Sequence, residues 1–329
     1  MYLDYERKQK NILVPVDFQA PSLKALEMAI NVAAQVNGTI HLLYVIPKGD
    51  FLTEVTRSSD ELVRITDAAK NKLTEIDEKY PDIKMVTKIE RGKIHEKILE
   101  TAKELNARYI VLGENHQESK TVKVLGSTVT QVVSRSPSPV ITVKGNHTDL
   151  GKRIIVPLDL SKETRAQVFN AIAFGMRYNA SIHLVSVLMG GINLTKSRIY
   201  AKLKKAQKTI TENGIDCSIK LFNRTEDPPY KKIIQYNEEI DADMYLIMTH
   251  QESVSKDNYM GAVAHHIINE STIPVISLTN TAAESDQTSV LKKIVDPLGI
   301  FFDQKLKVKP RKKGLLKVIF RSNVHHAAI

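Results

Sequence analysis

Asn11-Ile12-Leu13-Val14-Pro15-Val16-Asp17 is an apolar run of strand length ending on a carboxylate. It recurs 142 residues later as Arg153-Ile154-Ile155-Val156-Pro157-Leu158-Asp159. Ile40-His41-Leu42-Leu43-Tyr44-Val45 recurs at the same offset as Ile182-His183-Leu184-Val185-Ser186-Val187. Towards the end of each half, Gly126 and Pro139-Val140-Ile141 return as Gly261 and Pro274-Val275-Ile276, now offset by 135, so the second copy is 7 residues shorter between its second and fourth strands. The 329 residues are about twice a typical domain. The duplication divides them into a first copy over residues 1–145, a linker over 146–152, a second copy over 153–280 and an extension over 281–329.

Within the first copy the hydrophobic period changes repeatedly. Ile12–Val16 reads as a buried strand, and Ser22–Val36 has helical spacing through Leu23, Leu26, Ile30, Ala33 and Ala34. Ile40–Ile46 reads as a strand, Asp60–Tyr80 as a long amphipathic helix, Ile83–Ile89 as a strand and Lys93–Leu105 as a helix. Tyr109–Leu112 is a strand, Glu114–Leu125 a polar loop, Ser127–Ser134 a short helix and Val140–Val143 the last strand. Strands joined through helices of this length need crossover connections, which build a parallel sheet covered on both faces. The expected class is α/β: two tandem open parallel-sheet domains plus a basic C-terminal extension.

Composition is that of a globular protein, 42% hydrophobic and 26% charged. No apolar run approaches the ~18 residues of a spanning helix, and the charged start, Met1 to Lys8, lacks the apolar core of a secretion signal. The lone Cys217 makes no internal disulfide and no Cys cluster offers a zinc site, so a reducing cytoplasm is expected. Net charge is +10, but ten Lys or Arg against two Asp between Leu291 and Arg321 carry +8 of it. The body is nearly neutral. The basic tail, with Leu315-Leu316 and Val318-Ile319-Phe320 beside it, suits an anionic membrane or nucleic acid; its plainer reading is a solvated segment whose apolar end packs on the body.

Ligands of an open parallel sheet bind beyond the carboxyl ends of its strands. Asp17 closes the first strand, Val45 the second and Gly113 the fourth, and Gly126-Ser127-Thr128 opens a helix after the polar loop. Glycine lets a backbone approach a ligand, and a helix amino end presents unpaired N–H groups to an anion. These are the parts of a phosphate cradle. They are also the parts of an ordinary turn, with Ser127 capping the helix and Asp17 turning the chain.

The first strand, the closing half Ala107-Arg108-Tyr109-Ile110-Val111-Leu112-Gly113 and Ser138-Pro139-Val140-Ile141-Thr142-Val143 resemble the universal stress protein family, over residues 9–145 and 152–279. The resemblance implies a Rossmann-like, adenine nucleotide alpha-hydrolase-like fold. ATP-binding members carry Gly, two residues, Gly, nine residues, then Gly and Ser or Thr. Gly113, Gly126 and Ser127 match that spacing, and His116 stands where the middle glycine belongs. The resemblance implies that Asp17 reaches the adenosine end, that the Val45 backbone reads the adenine edge, and that Gly113, His116, Gly126 and Ser127 surround the phosphates, with a divalent cation. Gly92, at the start of the third helix, matches a family glycine near the base. A side chain at 116 obstructs a phosphate or, as imidazolium, contacts one. In the second copy Met248 replaces the first glycine, Gln251 aligns with His116, and Ala262 replaces the serine, which reads as loss of phosphate binding.

No nucleophile elbow, P-loop, zinc constellation or carboxylate pair is recognisable, so no enzyme is expected beyond incidental ATP hydrolysis. Two readings follow. One is a tandem stress-response protein whose first copy binds ATP as a regulatory ligand. The other is a nucleotide-free scaffold for dimerisation and an unidentified protein partner. In either, the two copies pair through their last strands as an internal pseudo-dimer, and a homodimer of chains is expected.

Overall fold

A computed structural model describes residues 10–49, 58–114, 125–145, 151–158, 164–188, 198–223, 226–249 and 260–279. His116, Asp159, Gln251 and the C-terminal extension lie outside the described residues, as does most of the expected linker.

The first copy runs β1 (Asn11–Pro15), α1 (Ala20–Val36), β2 (Thr39–Pro47), α2 (Ser59–Lys79), β3 (Met85–Gly92), α3 (Ile94–Glu104), β4 (Tyr109–Gly113), α4 (Ser127–Arg135) and β5 (Val140–Val143). The second repeats the order as β6 (Arg153–Pro157), α5 (Thr164–Tyr178), β7 (Ser181–Val187), α6 (Arg198–Glu212), β8 (Cys217–Phe222), α7 (Pro229–Ile240), β9 (Met244–Met248), α8 (Ala262–Glu270) and β10 (Val275–Leu278). The ten strands form one sheet in the order β3-β2-β1-β4-β5-β10-β9-β6-β7-β8. Pairing is parallel within each copy and antiparallel where β10 meets β5, Ile276 opposite Ile141. The α/β reading with a mostly parallel sheet therefore holds.

The apolar strands explain the two covering layers. Ile12 and Val14 enter one core with α1, α2, α5 and α6, while Leu13 enters the other with α3, α4, α7 and α8. Each core is continuous across both copies. In α1, Ala25, Leu26, Met28, Ala29, Val32 and Ala33 are buried at helical spacing, Pro21 sits in the first turn, and Asn37 closes the last turn in the left-handed region with its N–H on the Ala33 carbonyl. The duplication reuses such stops: Asn179 matches Asn37, and Asp241 matches Asn106, all four with φ near 45–49°. Asn and Asp tolerate that backbone better than other side chains.

The copies also lock through side chains. Tyr109 of β4 is buried against Phe174, and its hydroxyl accepts from Arg177 at 2.9 Å and lies 3.3 Å from the Tyr178 hydroxyl. Burial pushes the Tyr109 phenol well above its ordinary range.

Candidate functional site

The switch in strand order places β1 between β2 and β4, and the carboxyl ends of these strands frame the first copy's site. β1 makes its last contact with β2 where the Val16 N–H donates to the Leu43 carbonyl at 2.9 Å. Along a parallel strand, backbone groups point to alternate neighbours. The N–H and C=O of Val45 therefore face the side that β1 has just left. Its side chain is buried in the same core as Leu112, Leu125 and Val129, on the α4 side of the sheet.

Asp17 follows directly and is exposed. Its Oδ1 accepts from Ser22 Oγ at 2.7 Å and from the Gln19 N–H at 2.9 Å, so one oxygen of the carboxylate shapes the turn into α1. The chain then reverses at Phe18, whose φ of 64° is a left-handed backbone costing a bulky residue about 1 kcal/mol. Offsetting contacts hold it there: the ring stacks on Tyr44 with centroids 5.0 Å apart, and Lys72 Nζ lies 5.1 Å from its centre.

The three glycines have different reasons for being glycine. A Cβ at Gly113 would fall 2.0 Å from the Pro21 carbonyl oxygen, so β4 lies directly against the backbone of α1. That requirement is packing. Gly92 is buried with φ 157°, and its carbonyl accepts from Lys48 N–H at 3.1 Å, tying the end of β3 to the segment after β2. Gly126 is exposed with φ −56°, and a Cβ there would meet nothing within 4 Å. The fold does not need glycine at 126, and the space beside it is open.

Gly126 caps α4 without a side-chain bond, and Lys93 caps α3 likewise. At two helix amino ends on the same face of the sheet the cap residue's own side chain thus takes none of the first N–H groups, a condition that favours an anion. Ser127, exposed at the first position of α4, adds a hydroxyl. Asp17, Val45, Gly92, Gly113, Gly126 and Ser127 are all brought to this end of the first copy.

The second copy is closed by comparison. Gly261 repeats the backbone of Gly126, with φ −55° and ψ 143°, but its N–H donates to the Thr249 carbonyl at 3.0 Å. No such bond joins Gly126 to Glu114 among the described residues. Met248, in place of Gly113, is buried.

Sequence reasoning passed over Ser22, five residues beyond Asp17, and Glu114 and Lys144, the first residues after β4 and β5. Glu114 and Lys144 are almost wholly buried, with Lys144 Nζ 3.0 Å from Glu114 Oε2. Burial raises the Glu114 carboxyl from its ordinary 4.5 to about 7, the nearby ammonium opposing the shift only in part. A charge straight after an apolar strand was the available signal. A separate concavity of about 1040 Å³ lies at the amino ends of β6 and β7, between Arg153, Asp243, Asp216 and Asn179. It is at the wrong end of those strands for the duplicated site. Among the described residues no group of three or more His, Cys, Asp or Glu could hold a metal ion.

Comparison with known proteins settles the lineage. The universal stress protein family model matches residues 8–144 and again 151–278. The chain belongs to the universal stress protein family. A universal stress protein of Methanocaldococcus jannaschii is 26% identical over 143 residues, 42% of this chain and 84% of that relative. The crystal structure of a universal stress protein from Archaeoglobus fulgidus superposes with a TM-score of 0.67 at 24% identity, covering 82% of this chain and 98% of that one. A functionally unknown Pseudomonas aeruginosa protein gives 0.62 at 16% identity, covering 89% and 99%. At these identities the two structures speak for the fold, and they share it over both copies of this universal stress protein.

Proposed function

We propose that this tandem universal stress protein acts in stress response and that its first copy binds ATP, with a divalent cation, as a regulatory ligand. The observation that carries the reading is the amino end of α4: Gly126 offers no side-chain cap and is open to solvent, and among the described residues no acceptor takes its N–H as Thr249 takes that of Gly261. The Val45 backbone would meet the adenine edge, the exposed part of Asp17 the ribose, and the first turn of α4 with Ser127 the phosphates. A helix amino end favours an anion by about 0.3–1 kcal/mol at the surface, so several such donors must act together. The proposed role is binding rather than turnover, in keeping with a sequence that carries no nucleophile elbow, P-loop or zinc constellation. The buried thiol of Cys217, pushed up to about 12 by burial, is inert and suits a reducing cytoplasm. No helix among the described residues is long and apolar enough to cross a membrane.

A second reading, a nucleotide-free scaffold, is favoured by the closed second copy and by the Asp17 oxygen already committed to Ser22. Calorimetry with ATP on the full chain and on Gly126→Glu separates them. The open space at 126 lets the variant fold while placing a carboxylate against the phosphates. Micromolar binding, about −8 kcal/mol, lost in the variant, supports the nucleotide reading. Folded wild-type protein that gives no heat up to millimolar ATP supports the scaffold.

A further inference from the structure

The seam between the copies, where β5 meets β10, is unusually polar on its α4–α8 face. Thr142 Oγ1 donates to the Val275 carbonyl at 3.3 Å, and Thr279 Oγ1 to the Ser136 carbonyl at 2.7 Å. Into this seam Lys144 sends its ammonium to the Ile268 carbonyl, in the last turn of α8, while also pairing with Glu114. The duplicated positions are neutral: Thr249 stands for Glu114 and Thr279 for Lys144. One half of a pseudo-symmetric junction therefore holds a buried ion pair where the other holds two hydroxyls.

The pair has a position suited to more than packing. Glu114 is the first residue after Gly113, at the carboxyl end of β4. Its N–H is fixed to the Val143 carbonyl at 3.2 Å, and no further donor among the described residues reaches either carboxylate oxygen. Lys144 is thus the side chain's tether, and Lys144 is anchored on the second copy. We propose that Glu114 and Lys144 form a latch through which the second copy holds the chain immediately beyond Gly113, so that engaging the latch raises nucleotide affinity. The inference rests on the nucleotide reading above and adds its regulation.

A buried carboxylate titrating near neutrality makes the latch responsive to pH. Other ionisable groups on the surrounding elements have partners of their own. Asp17 takes Ser22 at 2.7 Å, Lys24 pairs with Glu27 at 2.8 Å on α1, Arg135 reaches Gln131 at 3.4 Å on α4, and His266 reaches Glu270 at 3.1 Å on α8 beside His265. Among the described residues Lys144 is the charge that acts on Glu114. His116, Glu118, Lys120 and Lys123 of the following loop lie outside them. Above pH 7 the carboxylate is ionised and held by Lys144; below it, the neutral acid loses that ionic hold while Lys144 keeps its bond to the Ile268 carbonyl.

The test is ATP affinity by calorimetry at pH 6 and pH 8 for the full chain, Glu114→Gln, Lys144→Met and Lys144→Arg. Dividing wild-type by Glu114→Gln affinity at each pH removes the titration of ATP itself. The expected ratio is near one at pH 6 and about tenfold at pH 8, a typical coupling between sites. Lys144→Met binds weakly at pH 8, and Lys144→Arg restores binding. Hydrogen exchange at the Ser271 amide, the end of α8, quickens in Lys144→Met without any ligand. Wild-type binding with a ratio of one at both pH values overturns the latch and leaves the nucleotide reading standing. Folded wild-type protein that binds no ATP overturns both. Should Lys144→Met fail to fold, Glu114→Gln and Lys144→Arg decide.

Discussion

Glu114→Gln is expected to make the protein more stable at pH 8, although it deletes a charge from a buried ion pair. The carboxyl titrates near 4.5 when the chain is unfolded and at about 7 in place. A folded-state pKa raised above the unfolded one contributes stability that is fully present below 4.5 and lost as pH rises through 7. The shift is about 2.5 units, and at 1.36 kcal/mol per unit the ionised state at pH 8 is about 3 kcal/mol worse than a permanently neutral side chain. At pH 5 the penalty is about 1 kcal/mol, because the acid is still protonated in the native state. Glutamine mimics the neutral acid in shape, so its advantage should follow the same curve. Urea unfolding of both proteins at pH 5 and pH 8 measures it, and taking the difference at each pH removes every other titrating group. An advantage that does not grow between pH 5 and pH 8 refutes the reasoning. So does a variant less stable than wild type at pH 8, which would mean that the lost attraction to Lys144 exceeds the desolvation it offsets.

Gly113→Ala should destabilise by about 1–3 kcal/mol or more, since its methyl must displace the Pro21 carbonyl, while Gly126→Ala should leave the urea midpoint within about 0.5 kcal/mol. Equal effects at the two sites would contradict the distinction between a packing glycine and an open one. Tyr109→Phe removes one acceptor of Arg177 inside the inter-copy contact and should cost about 0.5–1.5 kcal/mol in thermal or urea unfolding, with no change in ATP affinity. Asn37→Val places a β-branched residue in a left-handed helix stop and should lower stability by about 1–2 kcal/mol by the same assay.

Most of the scaffold is legible because it depends on local pattern repeated twice. The apolar runs of β1 and β6 and the helical spacing of α1 identify elements without knowledge of their partners. β3 shows where local reading slips: the strand was expected from Ile83 and begins at Met85, because the Ile83 N–H closes a turn on the Tyr80 carbonyl at 3.0 Å. The site was less legible for a different reason. Gly113 and Gly126 look alike in sequence, and only the approach of Pro21, distant along the chain, separates one that packs against backbone from one that faces open space. Glu114 and Lys144 carry no motif at all. Their signal is comparative, two charges in one copy where the other has two threonines, and the meaning appears once β5 lies beside β10.

The junction of β5 with β10 has an evolutionary consequence. A two-fold homodimer built on the same strands must present every residue twice, so a buried Glu–Lys pair tried on one side would appear on the other as well. Joining both copies in one chain removes that constraint and makes the association independent of protein concentration. Each half of the seam is then free to accept substitutions singly. An arrangement with one charged flank and one neutral flank, unreachable for identical subunits, is open to two copies in one chain.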